Sequence, residues 1–259
     1  AGISSNQALQ QARWLYQAEK AGHGGTLDPF ATGLLPVLFG EASKFGRYFL
    51  DGDKAYEAAL AFGTETDTGD LSGAVIREAA PPPLDAVDWA ALCARFSGVQ
   101  RQVPPVYSAL KFGGERAYAL ARRGELPQLE AREVVIHELR FLGMDGDGAR
   151  FFVRCSKGTY IRSLLRDMAA ALGSAGHTHA LRRVAVAGLT AMTPLATLRA
   201  WQEAGDMAAL QALLLPLDCC VAHLPRVVVP PEKLQIGKME PILPNVPPVL
   251  LPLRRCRLI

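Results

Sequence analysis

Asp28 is the residue whose surroundings point most directly to chemistry. It stands in His23-Gly24-Gly25-Thr26-Leu27-Asp28-Pro29. Pro29 fixes its own φ and disfavours helix at Asp28, so the carboxylate sits in a turn. A carboxylate there either caps a following helix or faces a site. The glycines before it let a bulky substrate come close to the backbone. No Gly-Lys-[Ser/Thr] run follows them, which removes a phosphate-cradling loop. Arg162 falls on the first turn of a helix, Tyr56 falls in a strand, and Asp67 and Asp70 fall in a polar turn. Each also has an ordinary reading: a surface arginine, a core tyrosine and turn carboxylates. The five cysteines show no Cys-x-x-Cys pair, and Cys219 and Cys220 are adjacent. Neither a zinc knuckle nor a disulfide framework is expected, and a reducing cytoplasm is the simplest compartment. The histidines show no His-Glu-x-x-His pattern, and His177 and His179 stand one residue apart without obvious partners.

The elements that must position these groups follow from periodicity. Ser4-Ser5-Asn6 followed by QALQQARWLYQAEKAG reads as a capped helix, with Ala8, Leu9, Ala12, Leu15 and Tyr16 on one stripe and Gly22 as its stop. HGGTLDPFATGLLPVLFG is too rich in Gly and Pro for a regular element and reads as a structured loop. AYEAALAF alternates, with Tyr56, Ala58, Leu60 and Phe62 on one face, so it is a predicted strand. GTETDTGDLSG is a polar turn, and PPPLDAVDWAALCARF a helix with a proline-marked start. REVVIHELRFL and ARFFVRCS are two strands around the turn GMDGDG. Thr159 is the expected cap of YIRSLLRDMAAAL, whose stripe is Ile161, Leu164, Leu165, Met168 and Leu172. LRRVAVAGLTAM is a strand, and PLATLRAWQ and DMAALQALLL are helical. From Pro225 onward the chain is rich in proline and β-branched runs, which marks a small strand-based module after a boundary near Leu224.

The chain of 259 residues is 49% hydrophobic and 20% charged, which excludes disordered, collagen-like and coiled-coil classes. No apolar run approaches the roughly 18–20 residues a membrane span needs. The N-terminus lacks the features of a secretory signal. Net charge is +3, but it is polarised. Asp51 to Asp88 holds nine acidic and two basic residues, whereas Arg150 to Arg183 holds seven basic and one acidic. Arg101 to Arg123 adds five basic and one acidic. A basic face for a polyanion fits this pattern, as does plain solvated surface.

GHGGTLDPFATGLLPVLFGEASKF resembles the signature of the TruB-type tRNA pseudouridine-55 synthases. Further motifs of that family follow in order: Ala55-Tyr56-Glu57 with Gly63-Thr64-Glu65-Thr66-Asp67-Thr68-Gly69-Asp70, then Pro104-Pro105-Val106-Tyr107-Ser108-Ala109-Leu110-Lys111, Cys155-Ser156-Lys157-Gly158-Thr159-Tyr160-Ile161-Arg162, and Leu181-Arg182-Arg183. They span about residues 1 to 224. Gly24 departs from the signature, standing where threonine is usual.

The resemblance implies the pseudouridine synthase fold: an α+β domain around a mixed, mostly antiparallel sheet, over residues 1–224, with a small C-terminal PUA-like β module at 225–259. It implies isomerisation of uridine 55 in the T-arm of tRNA. That reaction exchanges a C1′–N1 bond for C1′–C5 and needs the base flipped out of its stack. It calls for no redox cofactor and no metal. Asp28 would be the catalytic carboxylate, Arg162 the cation that keeps it charged, and Tyr56 the aromatic platform and proton acceptor. Tyr160 and Leu181 would line the pocket, Asp70 would hydrogen-bond near it, and His23 would stack beneath a flipped-out nucleotide, unless it simply stabilises its loop. Lys111, Arg116, Arg122, Arg123, Arg154, Lys157, Arg182 and Arg183 would meet phosphates. Residues 103–132 would form a mobile flap that clamps the RNA. A cytoplasmic monomer without protein partners is expected. A related enzyme acting on another RNA, or an RNA-binding or tRNA-folding protein on the same fold, are the alternatives.

Overall fold

The structure, a computed structural model, describes residues 1–108, 111–112, 115–116, 123, 129–221 and 257–258. Six strands make the central sheet, in the order Thr32–Gly33, Gly176–Val186, Lys54–Phe62, Gly148–Cys155, Arg132–Asp145 and Gly98–Gln102. Every neighbouring pair is antiparallel except the first, in which Arg182 and Arg183 pair in parallel with Thr32 and Gly33. The expected α+β class and mixed, mostly antiparallel sheet are therefore present.

The Lys54–Phe62 strand lies at the centre because small side chains let neighbours close over both of its faces. Ala55, Ala58, Ala59 and Leu60 are all buried. The helix Ile161–Ala171 lays its expected apolar stripe, Ile161, Leu164, Leu165 and Met168, on the same core as Leu60, Phe151 and Val153. Truncating a side chain such as Leu165 to alanine there costs about 2–5 kcal/mol. A second helix, Trp89–Arg95, covers the long hairpin. Trp89 stacks on Phe141 at 4.5 Å between ring centroids and tilts against Phe151 at 6.0 Å.

Several elements differ from expectation, each for a local reason. The first helix runs Ser5–Leu15 with a complete Ser4–Gln7 capping box, and it stops well before Gly22. Gln17 turns the chain at φ 49°, and Ala21–His23 is instead a strand paired with Val37–Phe39. Asp88, not a proline, caps the helix at Trp89 by accepting from the Ala91 N–H. Thr159 does not cap the helix at Ile161; its hydroxyl donates to the Ser156 carbonyl, and Tyr160 holds the cap position without a side-chain bond. The polar turn after Phe62 contains a small arm, Thr64–Thr66 paired with Val75–Glu78. The strand through Leu181-Arg182-Arg183 begins earlier, at Gly176, because His177 and Thr178 pair with Ala61 and Leu60.

Half of the 103–132 insertion and nearly all of the 225–259 module lie outside the described residues. Arg257–Leu258 pairs with Leu215–Pro216 and, at Leu258, with Leu38 of Val37–Phe39. Among the described residues Cys93, Cys155, Cys219 and Cys220 are free thiols, and no helix is long and apolar enough to cross a membrane.

Candidate active site

The Asp28 loop leaves the Ala21–His23 strand and returns at Thr32–Gly33. Its near side is stapled to the first helix: the Leu27 N–H donates to Ser5 Oγ at 2.8 Å, and that hydroxyl donates to the Leu27 carbonyl at 3.1 Å. A single turn closes from the Ala31 N–H to the Asp28 carbonyl at 3.0 Å. No helix follows, so Asp28 is not a helix cap. Its carboxylate meets Arg162, from 134 residues downstream. Arg162 Nη2 donates to Oδ1 at 3.1 Å, and Nε lies 2.9 Å from Oδ2 as an ion contact without hydrogen-bond alignment.

Arg162 is not the surface residue that its helix position allowed. It is 3% exposed. Nη1 donates to the Thr68 carbonyl at 2.6 Å, and Nη2 also donates to the Tyr107 carbonyl at 2.9 Å. A second carboxylate stands behind it: Asp70 Oδ2 is 3.7 Å from Nη1. Asp70 is itself buried, and its Oδ1 accepts from Thr68 Oγ1 and from the Ser72 N–H and hydroxyl. One guanidinium thus joins the catalytic-loop candidate, the acidic turn and the start of the insertion. Thr68 and Tyr107 reach Arg162 through their backbone carbonyls, a contact that residue type does not signal.

Burial pushes the Asp28 carboxyl above its ordinary range. The Arg162 charge and hydrogen bond oppose that rise, and the nearby Asp70 charge adds to it. This is the pattern expected of a carboxylate removed from water but given one close cation. Tyr56 packs against the core cluster that also holds Leu27, Phe30 and Leu181. Burial lifts its phenol to about 12, Arg183 works against that shift, and the Asp28 charge adds slightly to it. Asp28, Arg162 and Tyr56 therefore share one neighbourhood, and Asp70 and Leu181 border it. His23 is half-buried; its Nδ1 accepts from the Gly25 N–H at 3.4 Å. Burial and the Arg183 charge hold its pKa below the ordinary histidine value, which favours a neutral ring.

The other expected residues make contacts of their own. Gln102 binds the Tyr160 backbone from both sides, at 2.7 and 3.0 Å, and the Arg132 guanidinium sits 4.9 Å over the Tyr160 ring. Lys157 is exposed and pairs with Asp51 at 2.9 Å. Arg182 is exposed, and Arg154 lies 3.9 Å from Asp53 and 3.7 Å from Glu138. Arg123 is exposed in a turn. The Lys111 and Arg116 side chains and all of Arg122 lie outside the described residues. Arg183 departs most from expectation: it is 1% exposed, so its guanidinium faces the protein and not an RNA phosphate. Gly24, the departure from the signature, is explained by packing, because a Cβ there would fall 2.5 Å from Phe49 Cβ and 3.2 Å from Pro36 Cβ.

A carboxylate with a single cation beside a buried aromatic hydroxyl can act as a nucleophile or as a proton acceptor. Comparisons with known proteins identify the family. The model of the TruB family pseudouridylate synthase N-terminal domain matches residues 13–161, and that of the tRNA pseudouridylate synthase B C-terminal domain matches residues 162–222. A protein named tRNA pseudouridine synthase B from Chromobacterium violaceum is 50% identical over 239 residues, 91% of this chain and 76% of that protein. The protein of that name from Chromohalobacter salexigens is 48% identical over 228 residues, 88% of this chain and 74% of its own length. Among solved structures, a Cbf5-Nop10-Gar1 complex contains a chain 26% identical at a TM-score of 0.64, with 86% of this chain covered and 60% of that one. This chain therefore spans less than two thirds of that neighbour. Since the two family models together match most of its length, the chain belongs to the TruB family of pseudouridylate synthases.

Proposed function

We propose that the chain isomerises uridine 55 in the T-arm of tRNA to pseudouridine, with Asp28 as the catalytic carboxylate. The observation that carries this reading is the Asp28–Arg162 pair, at 2.9 and 3.1 Å, beside Tyr56. The uridine leaves its stack and lies against the Tyr56 ring. Asp28 either bonds covalently to the sugar or base, or removes a sugar proton to form a glycal; both courses need the ionised carboxylate. The C1′–N1 bond breaks, the base turns, and C5 joins C1′. The proton then leaves C5, its electron pair restores the C5–C6 double bond, and Tyr56 is our candidate to relay it, the phenol oxygen taking that proton as its own O–H proton passes to water.

Residues 1–224 form the catalytic unit in this reading, residues 103–132 clamp the T-arm, and 225–259 are a PUA-like module. Exposed Lys157 and Arg182 support a role in phosphate contact. The enzyme works in the cytoplasm as a monomer, which light scattering in solution tests.

Asp28→Asn tests the chemistry. The variant stays folded, binds unmodified tRNA and forms no pseudouridine. Retained activity would refute the role of Asp28. Wild-type product mapped to another RNA position, and none to tRNA position 55, would move the substrate.

A further inference from the structure

The two halves of the Asp28–Arg162 pair are held in place by different side chains. On the acid's side, Arg183 donates from Nε to the Leu34 carbonyl at 2.8 Å, from Nη2 to the Gly25 carbonyl at 3.0 Å and from Nη1 to the Thr26 carbonyl at 3.4 Å. One buried guanidinium thus grips both ends of the Asp28 loop. Gly33, at φ 101°, passes so near that a Cβ there would fall 2.1 Å from the Arg183 carbonyl oxygen. On the cation's side the holder is Gln102.

Arg162 lies on the first turn of the helix Ile161–Ala171, which opens at Tyr160 without a side-chain cap. Gln102 supplies that constraint from another element. It ends the edge strand Gly98–Gln102 and is 4% exposed. Its Oε1 accepts from the Tyr160 N–H at 2.7 Å, and its Nε2 donates to the Tyr160 carbonyl at 3.0 Å. A carboxamide carries an acceptor and a donor on one planar group. Here it pairs with both backbone polar groups of Tyr160, as a neighbouring strand would. Further contacts tie down the same turn. The Ser163 hydroxyl donates to the Val103 carbonyl at 2.8 Å. Arg132, which pairs with Gln102 across the sheet, lies over the Tyr160 ring and donates to the Gly158 carbonyl. Positions 158, 160 and 163 are therefore fastened to the edge of the sheet, and Arg162 lies among them. The far end of Arg162 is fixed by the Thr68 and Tyr107 carbonyls. A side chain clamped at its tip keeps its contacts of 2.9 and 3.1 Å with Asp28 only while its backbone is held too.

We infer that Gln102 is a positioning residue for the isomerisation: by pairing with both backbone groups of Tyr160, it sets where the helix carrying Arg162 begins and so keeps Arg162 in register with Asp28. The inference rests on the reading of this site as a uridine isomerase.

The test is a double-mutant cycle of Gln102→Met and Arg162→Lys. Methionine keeps the length of the side chain and removes both hydrogen bonds without adding charge. The readouts are single-turnover pseudouridine formation from pH 5 to 9 and affinity for unmodified tRNA. A shift of about 1 Å in a positioned group lowers a rate by up to about 100-fold. Gln102→Met should therefore react roughly 10- to 100-fold more slowly at neutral pH and bind tRNA within about twofold of wild type. The titratable groups acting on Asp28 among the described residues are Arg162, Asp70 and Tyr56. Of these only Arg162 holds the carboxyl down, so a loosened Arg162 lets it rise, and the acid limb of activity should move to higher pH. In an Arg162→Lys background the same change should add less than about threefold, because the register it protects is already lost. A wild-type rate with an unmoved acid limb, a loss confined to tRNA affinity, or effects that multiply would each overturn the inference. If Gln102→Met does not fold, Gln102→Glu, which keeps the Tyr160 N–H bond and loses the one to its carbonyl, carries the same cycle. Wild-type protein that forms no pseudouridine would refute the isomerase reading instead. Amide hydrogen exchange at Tyr160 would still report on the contact: Gln102→Met should speed it by about tenfold or more, and an unchanged rate overturns the inference.

Discussion

Replacing Arg162 by lysine keeps the positive charge and removes the fork. Arg162 now serves two carboxylate oxygens of Asp28 and the carbonyls of Thr68 and Tyr107, with Asp70 at 3.7 Å. An ammonium is a point donor on a flexible stem and cannot reproduce that spread. If it keeps the two carbonyls, it loses at least one charge-assisted contact with Asp28, worth roughly 1.5–3 kcal/mol. At about 1.4 kcal/mol per decade, the ionised, oriented carboxylate becomes about 10- to 100-fold less available. The direction with pH also follows. Burial already raises the Asp28 carboxyl, and Arg162 is the chief force holding it down. Weakening that force raises the carboxyl further. Activity needs the ionised form, so it falls as pH drops through that value, and the acid limb of the variant lies at higher pH than that of wild type. Tritium release from tRNA labelled at uridine C5, under single turnover from pH 5 to 9, reads both effects. A destabilisation of about 2 kcal/mol should also lower the melting temperature by roughly 4–8 °C. A variant with a wild-type rate and an unmoved acid limb would refute the view that this pair controls the carboxylate.

Two other perturbations test the supporting structure. Gly33→Ala forces a Cβ against the Arg183 carbonyl at a φ that disfavours alanine, so the Asp28 loop should shift; thermal melting and single-turnover assays should both show losses, and wild-type behaviour in both would contradict the close approach. Lys157→Gln and Arg182→Gln, both on the surface, should each weaken tRNA binding across sequences and reduce the slope of log affinity against log salt by about 1, while leaving the reaction of saturated enzyme unchanged.

The sheet was legible where side chains alternate in size and polarity. The hairpin of Arg132–Asp145 and Gly148–Cys155 and the stripe of Ile161–Ala171 follow directly from their periods. Boundaries were less legible because pairing across the sheet decides them. Gly176-His177-Thr178-His179 looks like loop, yet part of it pairs with the central strand. The site was legible as a resemblance, whereas residue by residue it was ambiguous. Nothing local separates a surface arginine from Arg162, because its partners lie at positions 28, 68, 70 and 107. Arg183 did carry a local signal. In a strand, 181 and 183 share a face, and Leu181 faces the core, so Arg183 is buried while Arg182 between them is exposed. Treating Arg182 and Arg183 together as a basic pair hid that alternation.

The distance along the chain between the acid and its two arginine anchors has a consequence for biosynthesis. The Arg162–Asp28 bond spans 134 residues and the Arg183–Gly25 bond 158. On the ribosome, the N-terminal aspartate emerges long before either arginine exists. A nascent chain that stops short of Arg162 carries Asp28 as an ordinary, hydrated acid, and its central strand still lacks Gly176–Val186 as a neighbour. With Asp28 in its proposed role, reactivity is therefore acquired late in translation, when the far strand docks, and a prematurely terminated product would be chemically silent toward RNA.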